Sequence, residues 1–267
     1  MNKRKIFVYS NGMAASNKTA ELLKSKLYQS GFVVPDKLSD DIELIVCIGG
    51  DGAFLEALRK FNFPDIPFIG VNTGHLGFFQ EIEPLQLDEF IFYYMQGRYT
   101  LQEMNTVEAV VKLKDGTENR YKGLNEIVIK SADSYMIHLN ISIGGSFIER
   151  FSGDGILVAT AAGSTAYNYS LRGAIVDPRI KLLQVTPISP MNSTAYRCFT
   201  SSILLPSDLP LGIMPEERTK QVRVAIDGQE HFLDNIDSIS IGISETMVKL
   251  LRFEGYDFWS KVKAKFL

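Results

Sequence analysis

Leu44-Ile45-Val46-Cys47-Ile48 is an unbroken apolar run, entered from Glu43, that leads straight into Gly49-Gly50-Asp51-Gly52. A continuous apolar run of this length fits a strand buried on both faces, and the glycines at its end permit a sharp turn into a helix. The same alternation surrounds it. Lys5–Tyr9 reads as a strand. Ser16–Gln29 reads as a helix capped by Ser16, with Ala20, Leu22, Leu23 and Leu27 on its apolar face. Phe54–Phe61 is helical, Pro67–Asn72 is a second buried strand, and Leu87–Gln96 is helical again. Strand and helix in alternation, with solidly apolar strands, predict an α/β domain over residues 1–100 built on a parallel, Rossmann-like sheet.

The character changes after residue 100. Thr106–Leu113, Tyr121–Lys130, Met136–Ile143, Ser146–Arg150 and Gly155–Thr160 are rich in β-branched residues and tend to alternate. Asp115-Gly116 and Gly144-Gly145 lie between such runs as hairpin turns do. Ser201–Leu205, Gln221–Ile226 and Ser238–Ile243 extend the pattern, with a short helix expected at Ser164–Gly173. Residues 101–245 therefore read as an antiparallel, all-β domain. The remaining 246–267 end in an amphipathic helix, Tyr256–Phe266, with Phe258, Trp259, Val262 and Phe266 on one face.

Bulk properties exclude several classes. The formal net charge is -3, which offers no broad basic field for nucleic acid. No window approaches the length of a membrane span. The basic start, Met-Asn-Lys-Arg-Lys, leads into an apolar run too short for a signal peptide. Cys47 and Cys198 are far apart and suggest no disulfide framework, so a reducing, cytoplasmic setting is expected. No His and Cys cluster has metal spacing, and no metal ligand from the protein is assigned.

Four segments carry candidate chemistry. In the 49–52 turn, Gly49, Gly50 and Gly52 can bring backbone N–H groups up to phosphate. Asp51 repels phosphate, so it serves either as a base for a hydroxyl attacking phosphorus or as a cap for the following helix. No G-x-G-x-x-G opens the first strand–helix unit and no G-x-x-x-x-G-K-[ST] is present, which argues against a hydride-transferring dehydrogenase and a P-loop enzyme. Asn125-Glu126 heads a strand. It can bind a ribose and an amide, hold a metal through water, or be a solvated edge. Gly153-Asp154-Gly155 and the segment Ala161–Ser170, which includes Ser164, Thr165, Ala166, Tyr167, Asn168, Tyr169 and Ser170, combine small residues, hydroxyls and an aromatic face suited to a nucleotide. Ser164 or Thr165 could equally cap a helix. His75 lies just past a strand's carboxyl end, where ligands collect in open α/β sheets. His138 sits within an alternating strand and reads as structural.

Taken together, Gly49-Gly50-Asp51-Gly52, Asn72-Thr73-Gly74-His75-Leu76-Gly77-Phe78, Asn125-Glu126, Gly153-Asp154-Gly155, Gly163-Ser164-Thr165-Ala166-Tyr167, Thr186-Pro187-Ile188 and Asp227-Gly228 occur in the order seen in NAD kinases. The chain resembles a bacterial member of that family over nearly its whole length. The resemblance implies an α/β domain followed by an all-β domain, with the C-terminal helix returning to the first. It implies transfer of the γ-phosphoryl group of ATP to the 2′-hydroxyl of the adenosine ribose of NAD, with a divalent metal, usually Mg2+, in a homo-oligomer, often a tetramer. By the same resemblance Asp51 is the base, with Gly52 at the same turn, and Asn125 and Glu126 take the NAD ribose and neighbouring groups. Asp154 takes the nicotinamide side, while Thr165, Ala166, Tyr167 and Ser170 form the adenine and ribose wall, with Ser189 near the adenine. His75, Ser152, Asn168 and Tyr169 complete the NAD set. Ala53 follows the glycine turn where the family usually has Thr, and Ser152 stands where a basic residue is common. Two rivals share part of the pattern: a lipid or sphingoid kinase with the same glycine turn, and a dinucleotide-binding sensor without turnover.

Overall fold

The computed structural model describes residues 4–133, 135–193, 197–219 and 221–266. In chain order its elements are Ile6–Ser10 (β1), Ala14–Gln29 (α1), Leu44–Gly49 (β2), Asp51–Lys60 (α2), Phe68–Asn72 (β3), Gln80–Ile82 (β4), Leu87–Met95 (α3), Tyr99–Leu113 (β5), Glu118–Gly123 (β6), Glu126–Ser131 (β7), Ile137–Ile143 (β8), Ser146–Gly153 (β9), Gly155–Thr160 (β10), Tyr167–Ser170 (α4), Leu182–Ile188 (β11), Ile203–Pro206 (β12), Leu211–Pro215 (β13), Gln221–Ile226 (β14), Gln229–Asp234 (β15), Ile236–Phe253 (β16) and Phe258–Phe266 (α5). They divide into two units, Met1–Glu103 with Met247–Leu267, and Met104–Thr246. Among the described residues no helix is long and apolar enough to cross a membrane.

In the first unit β1, β2 and β3 run parallel, with Ile6 opposite Leu44 and Ile45 opposite Phe68. On the other edge of β3 lie β4 and the end of β16, both parallel to it. Strand alternation sorts the side chains. Ile6, Val8, Leu44 and Val46 join Leu23 and Leu27 of α1 and Phe90 and Ile91 of α3 in one core. Phe7 and Tyr9 point to the opposite face, where Phe61 meets them edge-on at 5.3 and 5.7 Å. On α2, Phe54 stacks on Phe79 at 4.9 Å. The apolar runs are thus explained by burial on both faces, as a parallel sheet requires. Residues 247–266 complete this unit: Phe258 and Val262 of α5 are buried, and the rings of Phe258 and Phe266 lie 5.8 Å from that of Phe78.

Three local expectations fail here. Met13, not Ser16, occupies the N-cap of α1; Ser16 is buried, with its hydroxyl 2.8 Å from that of Thr73. Leu22 and Trp259 were expected on apolar faces but are 47% and 48% exposed. Each lies one residue, about 100° of helix, from a buried neighbour, Leu23 or Phe258, and so turns toward water.

The second unit is a β-sandwich. One sheet has the order β12-β11-β10-β7-β14-β15 and is antiparallel throughout. The other pairs β9 with β8, β8 with β13, β13 with β16, and β5 with β6 and β16. Ile127, Ile129, Ile156 and Val158 from the first sheet share one buried cluster with Val107, Leu139, Ile141 and Leu211 from the second. The turns at Asp115-Gly116, Gly144-Gly145 and Asp227-Gly228 close hairpins, and Gly116, Gly144, Gly145, Asp227 and Gly228 all have positive φ.

Tyr121–Lys130 does not form one strand. It breaks at Leu124-Asn125, β6 pairing with β5 and β7 with β10 and β14, so the chain steps from one sheet to the other there. The expected helix Ser164–Gly173 shrinks to a 3-10 turn, Ala162–Thr165, and the single turn of α4. Neither Ser164 nor Thr165 caps α4; Ala166 holds that position. Strands β11, β13 and β15 match none of the runs that the sequence pattern marks, and β16 runs far beyond Ser238–Ile243.

Candidate functional site

The glycine turn belongs to the first unit. β2 ends at Gly49, Gly50 is the N-cap of α2, and Asp51 is its first residue. Gly49 has φ 151°, and a Cβ there would overlap that of Ala53, which accounts for glycine at position 49. Asp51 does not cap the helix, since no side-chain cap bond forms. Its carboxylate reaches the loop after β3: the N–H of Phe78 donates to Oδ2 at 2.9 Å, and the N–H of Phe79 donates to Oδ1 at 3.0 Å. Gly77 leaves room for it, because a Cβ there would lie 2.7 Å from Cγ of Asp51 and closer still to Oδ1. Two motifs separated in sequence, the glycine turn and Asn72–Phe78, are therefore one construction around a single carboxylate. That carboxylate is 26% exposed, with Lys265 Nζ 3.8 Å away. One lone pair on each oxygen is engaged by an N–H, which leaves the others for an incoming hydroxyl. Positions Gly50 and Gly52 face open space. Asn72 braces the loop by accepting the N–H of Gly74 at 3.1 Å and donating to Glu83 at 3.3 Å, and His75 is exposed at the loop's tip.

In the second unit the step between sheets creates the other cluster. The N–H groups of Leu124, Asn125 and Glu126 leave regular sheet pairing and must find acceptors. All three donate to the Asp227 carboxylate, at 2.8, 2.8 and 3.2 Å. Asp227, in the β14–β15 turn, is therefore the organiser of this corner. Thr160 holds the carbonyls of Leu124 and Asn125, and Gly163 packs onto the Asn125 backbone, where a Cβ would come within 2.5 Å of the carbonyl carbon. Fixed in this way, Asn125 and Glu126 are buried, yet among the described residues Asn125 Oδ1 and Glu126 Oε2 have no hydrogen-bond partner. A buried orphan oxygen costs about 1–3 kcal/mol; two side by side point to a ligand that supplies donors. Burial, and secondarily the charge of Asp227, push the Glu126 carboxyl up to about 8.

The segment 161–170 is held from below. Asn168 is fully buried; it accepts from the Thr186 hydroxyl at 2.7 Å and donates to the carbonyls of Ser164 and Ala174. The Ser164 hydroxyl closes on Val176. Asn168 is thus a strut, whereas Tyr167, Tyr169 and Ser170 face outward, Thr165 is buried beside them and Ala166 is half-buried. Asp154 and Ser189 are exposed near one another: the Asp154 N–H donates to the carbonyl of Ile188 at 2.9 Å. Ser152 is placed differently, fully buried with its hydroxyl 2.7 Å from Nδ1 of His138. Cys47 and Cys198 are both buried free thiols.

Among the described residues no group of three or more His, Cys, Asp or Glu is arranged to hold a metal ion. The N–H groups of Phe78 and Phe79, and the lysines Lys261 and Lys265 of α5, join the site without being marked by any of the sequence motifs. Backbone donors have no residue signature; Gly77, two residues beyond His75 in its motif, was the one available signal. Asp227-Gly228 stands in the ordered motif set, but nothing in the sequence assigns its carboxylate a role.

Known proteins resemble this chain over most of its length. The ATP-NAD kinase N-terminal domain family model matches residues 7–99, and the ATP-NAD kinase C-terminal domain model matches residues 124–253. An NAD kinase of Finegoldia magna is 37% identical over 270 residues, covering 100% of this chain and 99% of that protein. NAD kinase 1 of Oceanobacillus iheyensis is 32% identical over 97% of each chain. Among solved structures, yeast NADH kinase complexed with NADH has a TM-score of 0.85 at 20% identity, covering 98% of this chain and 86% of that one. An NAD kinase from Archaeoglobus fulgidus in complex with ATP has a TM-score of 0.76 at 22% identity, covering 97% and 99%. The two structures share the fold.

Proposed function

We infer that this chain, which belongs to the ATP-NAD kinase family, transfers the γ-phosphoryl group of ATP to the 2′-hydroxyl of the adenosine ribose of NAD, giving NADP and ADP. The observation that carries the residue-level reading is the Asp51 carboxylate, gripped by two backbone N–H groups at the mouth of a glycine turn and still open to solvent. In this role Asp51 takes the proton of the 2′-hydroxyl as its oxygen attacks the γ-phosphorus and the bond to the bridging oxygen of ADP breaks. Positioning supplies most of the acceleration in phosphoryl transfer, and a clamped carboxylate is suited to it. Gly49, Gly50 and Gly52 serve the phosphates through the backbone at the start of α2.

For NAD we assign Asn125 and Glu126 as the primary polar contacts, because their orphaned oxygens are complementary to ribose hydroxyls and amide donors. Thr165, Ala166, Tyr167, Tyr169 and Ser170 offer a wall on which a base can lie, with Asp154 and Ser189 at its rim. His75 and Gly52 complete the contacts on the side of Asp51. Asn168 and Ser152 act by holding this surface, given where their side chains are bonded. A divalent ion, Mg2+, accompanies ATP as part of the substrate, since Mg2+ favours phosphate oxygens and water over an all-protein cage. We further propose that the protein is cytoplasmic, in keeping with two free thiols. We also propose that it assembles as a homo-oligomer, a tetramer, in keeping with Phe147 and Ile148 exposed on the edge strand β9. The relatives and the site favour neither a lipid kinase nor a sensor without turnover. The test is direct: incubate the protein with ATP, Mg2+ and NAD, and couple product to an NADP-specific dehydrogenase. Steady NADP formation is expected; none would refute the assignment.

A further inference from the structure

We propose that Lys261 of α5 is a positioning residue for Asp51, acting through the peptide group that joins Phe78 to Phe79. The inference rests on Asp51 being the base. That peptide group is loaded at both ends: its N–H donates to Asp51 Oδ1 at 3.0 Å, while its carbonyl oxygen, on Phe78, accepts from Lys261 Nζ at 3.3 Å and from Arg252 Nη2 at 3.5 Å. A trans peptide sets its N–H and C=O in opposite directions. Cations on the carbonyl side therefore aim the N–H at the carboxylate, and they polarise the peptide so that the N–H bond to Asp51 strengthens. Lys261 also donates to the carbonyl of Gln80, so it ties down both flanks of the segment that grips Asp51.

The two cations are not equivalent. Arg252 is committed to a buried ion pair, donating to Glu81 Oε2 at 2.8 Å, and Glu81 Oε1 is taken by the N–H of Phe253 at 3.0 Å. The hydrogen bonds of Lys261 go to carbonyls. Lys261 is half-buried, and an ammonium held there with no carboxylate among the described residues bonded to it is a costly choice where packing alone is needed, since methionine fills the same volume without desolvating a charge. The groups facing Lys261 are Arg252, Glu81, Asp51, Glu83 and the ring of Tyr256, 5.3 Å away. Burial first, and Arg252 next, lower its ammonium to about 8, while Glu81, Asp51 and Glu83 pull the other way. The anchor is charged at neutral pH and is lost as pH rises through about 8.

Three full-length variants decide it: Lys261→Met, Lys261→Arg and Asp51→Asn, each assayed for kcat and KM by NADP formation over pH 6.5–9.5, with thermal melting and calorimetric NAD binding as checks of folding. Lys261→Met is expected to stay folded, to keep KM for NAD within about twofold, and to lose about 10–100-fold in kcat. The unaltered protein is expected to lose kcat above about pH 8, and an unaltered protein with no such decline counts against the proposal; Lys261→Arg, protonated throughout, is expected to recover much of the Lys261→Met loss and to abolish that decline. A folded Lys261→Met with unchanged kcat, or a Lys261→Arg profile with the same alkaline decline, overturns the proposal, and the second result stands even if Lys261→Met does not fold. Full turnover by Asp51→Asn would refute the base assignment; an inactive Asp51→Asn beside a fully active Lys261→Met refutes only the role of Lys261.

Discussion

Replacing Gly77 with alanine adds a single methyl group, yet the structure predicts a large loss of turnover. The new Cβ would stand 2.7 Å from Cγ and 2.9 Å from Oδ2 of Asp51. Two carbons rest at about 3.5–4.0 Å, so one partner must retreat by roughly 1 Å. The Gly77 side is backbone, tied down independently of Asp51 by Lys261 and Arg252 on the carbonyl of Phe78 and by Lys261 on that of Gln80, whereas Asp51 is a short side chain on α2. The carboxylate therefore moves, and both hydrogen bonds, at 2.9 and 3.0 Å, are stretched or lost. A displacement of about 1 Å at a reacting group costs on the order of 100-fold in rate. Gly77 does not have positive φ, so backbone strain does not enter and the effect is steric. The assay is NADP formation at saturating ATP and NAD, with thermal melting in parallel. The expected result is a folded protein with kcat reduced by about 100-fold. A folded Gly77→Ala variant with kcat within about threefold of the parent, well short of that estimate, would show that the grip on Asp51 is not what sets turnover.

Gly163→Ala places a Cβ 2.5 Å from the carbonyl carbon of Asn125 and 2.9 Å from its Cα, backbone that cannot yield cheaply; NAD affinity measured by calorimetry should fall by at least about tenfold, the equivalent of one strained contact of about 1.4 kcal/mol, and an unchanged affinity would contradict the corner's role. Asp227→Ala strips the acceptor from three backbone N–H groups; denaturant unfolding should show a loss of about 3 kcal/mol or more, at about 1–3 kcal/mol for each buried donor left unpaired, and a loss below about 1 kcal/mol would sink the argument. Glu126 yields a pH prediction. Its carboxyl is raised from 4.5 to about 8 in the fold, so the folded state holds the proton more tightly than the unfolded chain does. The ligand-free protein should therefore lose stability as pH climbs from about 4.5 to about 8. Glu126→Gln should flatten that slope in melting-temperature measurements; an identical slope in the variant would refute the assignment.

How far these features could be read from sequence depends on the range of the interactions that make them. β2 and its glycine turn are local: five apolar residues that need cover on both faces, then glycines that free the backbone, identify both without any distant partner. The break at Leu124-Asn125 is not local. Tyr121–Lys130 carries strand formers on both sides of it, and what stabilises the step is a carboxylate 103 residues on from Leu124. β11 is hidden because Gln184 and Pro187 interrupt its apolar pattern; Gln184 is in fact satisfied by the backbone of Ala174 at 2.7 and 3.0 Å. Asp51 and the Asn125-Glu126 pair stood out by chemistry, as carboxylates beside glycines and at a strand head. Their supports did not: a backbone N–H has no letter of its own, and Lys261 looks like any lysine on an amphipathic helix.

The central claim is that Asp51 is the base in phosphorylation of NAD. It is tested most directly by comparing the protein with Asp51→Asn, following NADP formation from ATP, Mg2+ and NAD and measuring NAD binding by calorimetry. The amide removes the negative charge and turns one acceptor into a donor facing the N–H groups of Phe78 and Phe79. The account predicts a loss of about 10²–10⁴ in kcat with NAD still bound; turnover equal to that of the unaltered protein would contradict it.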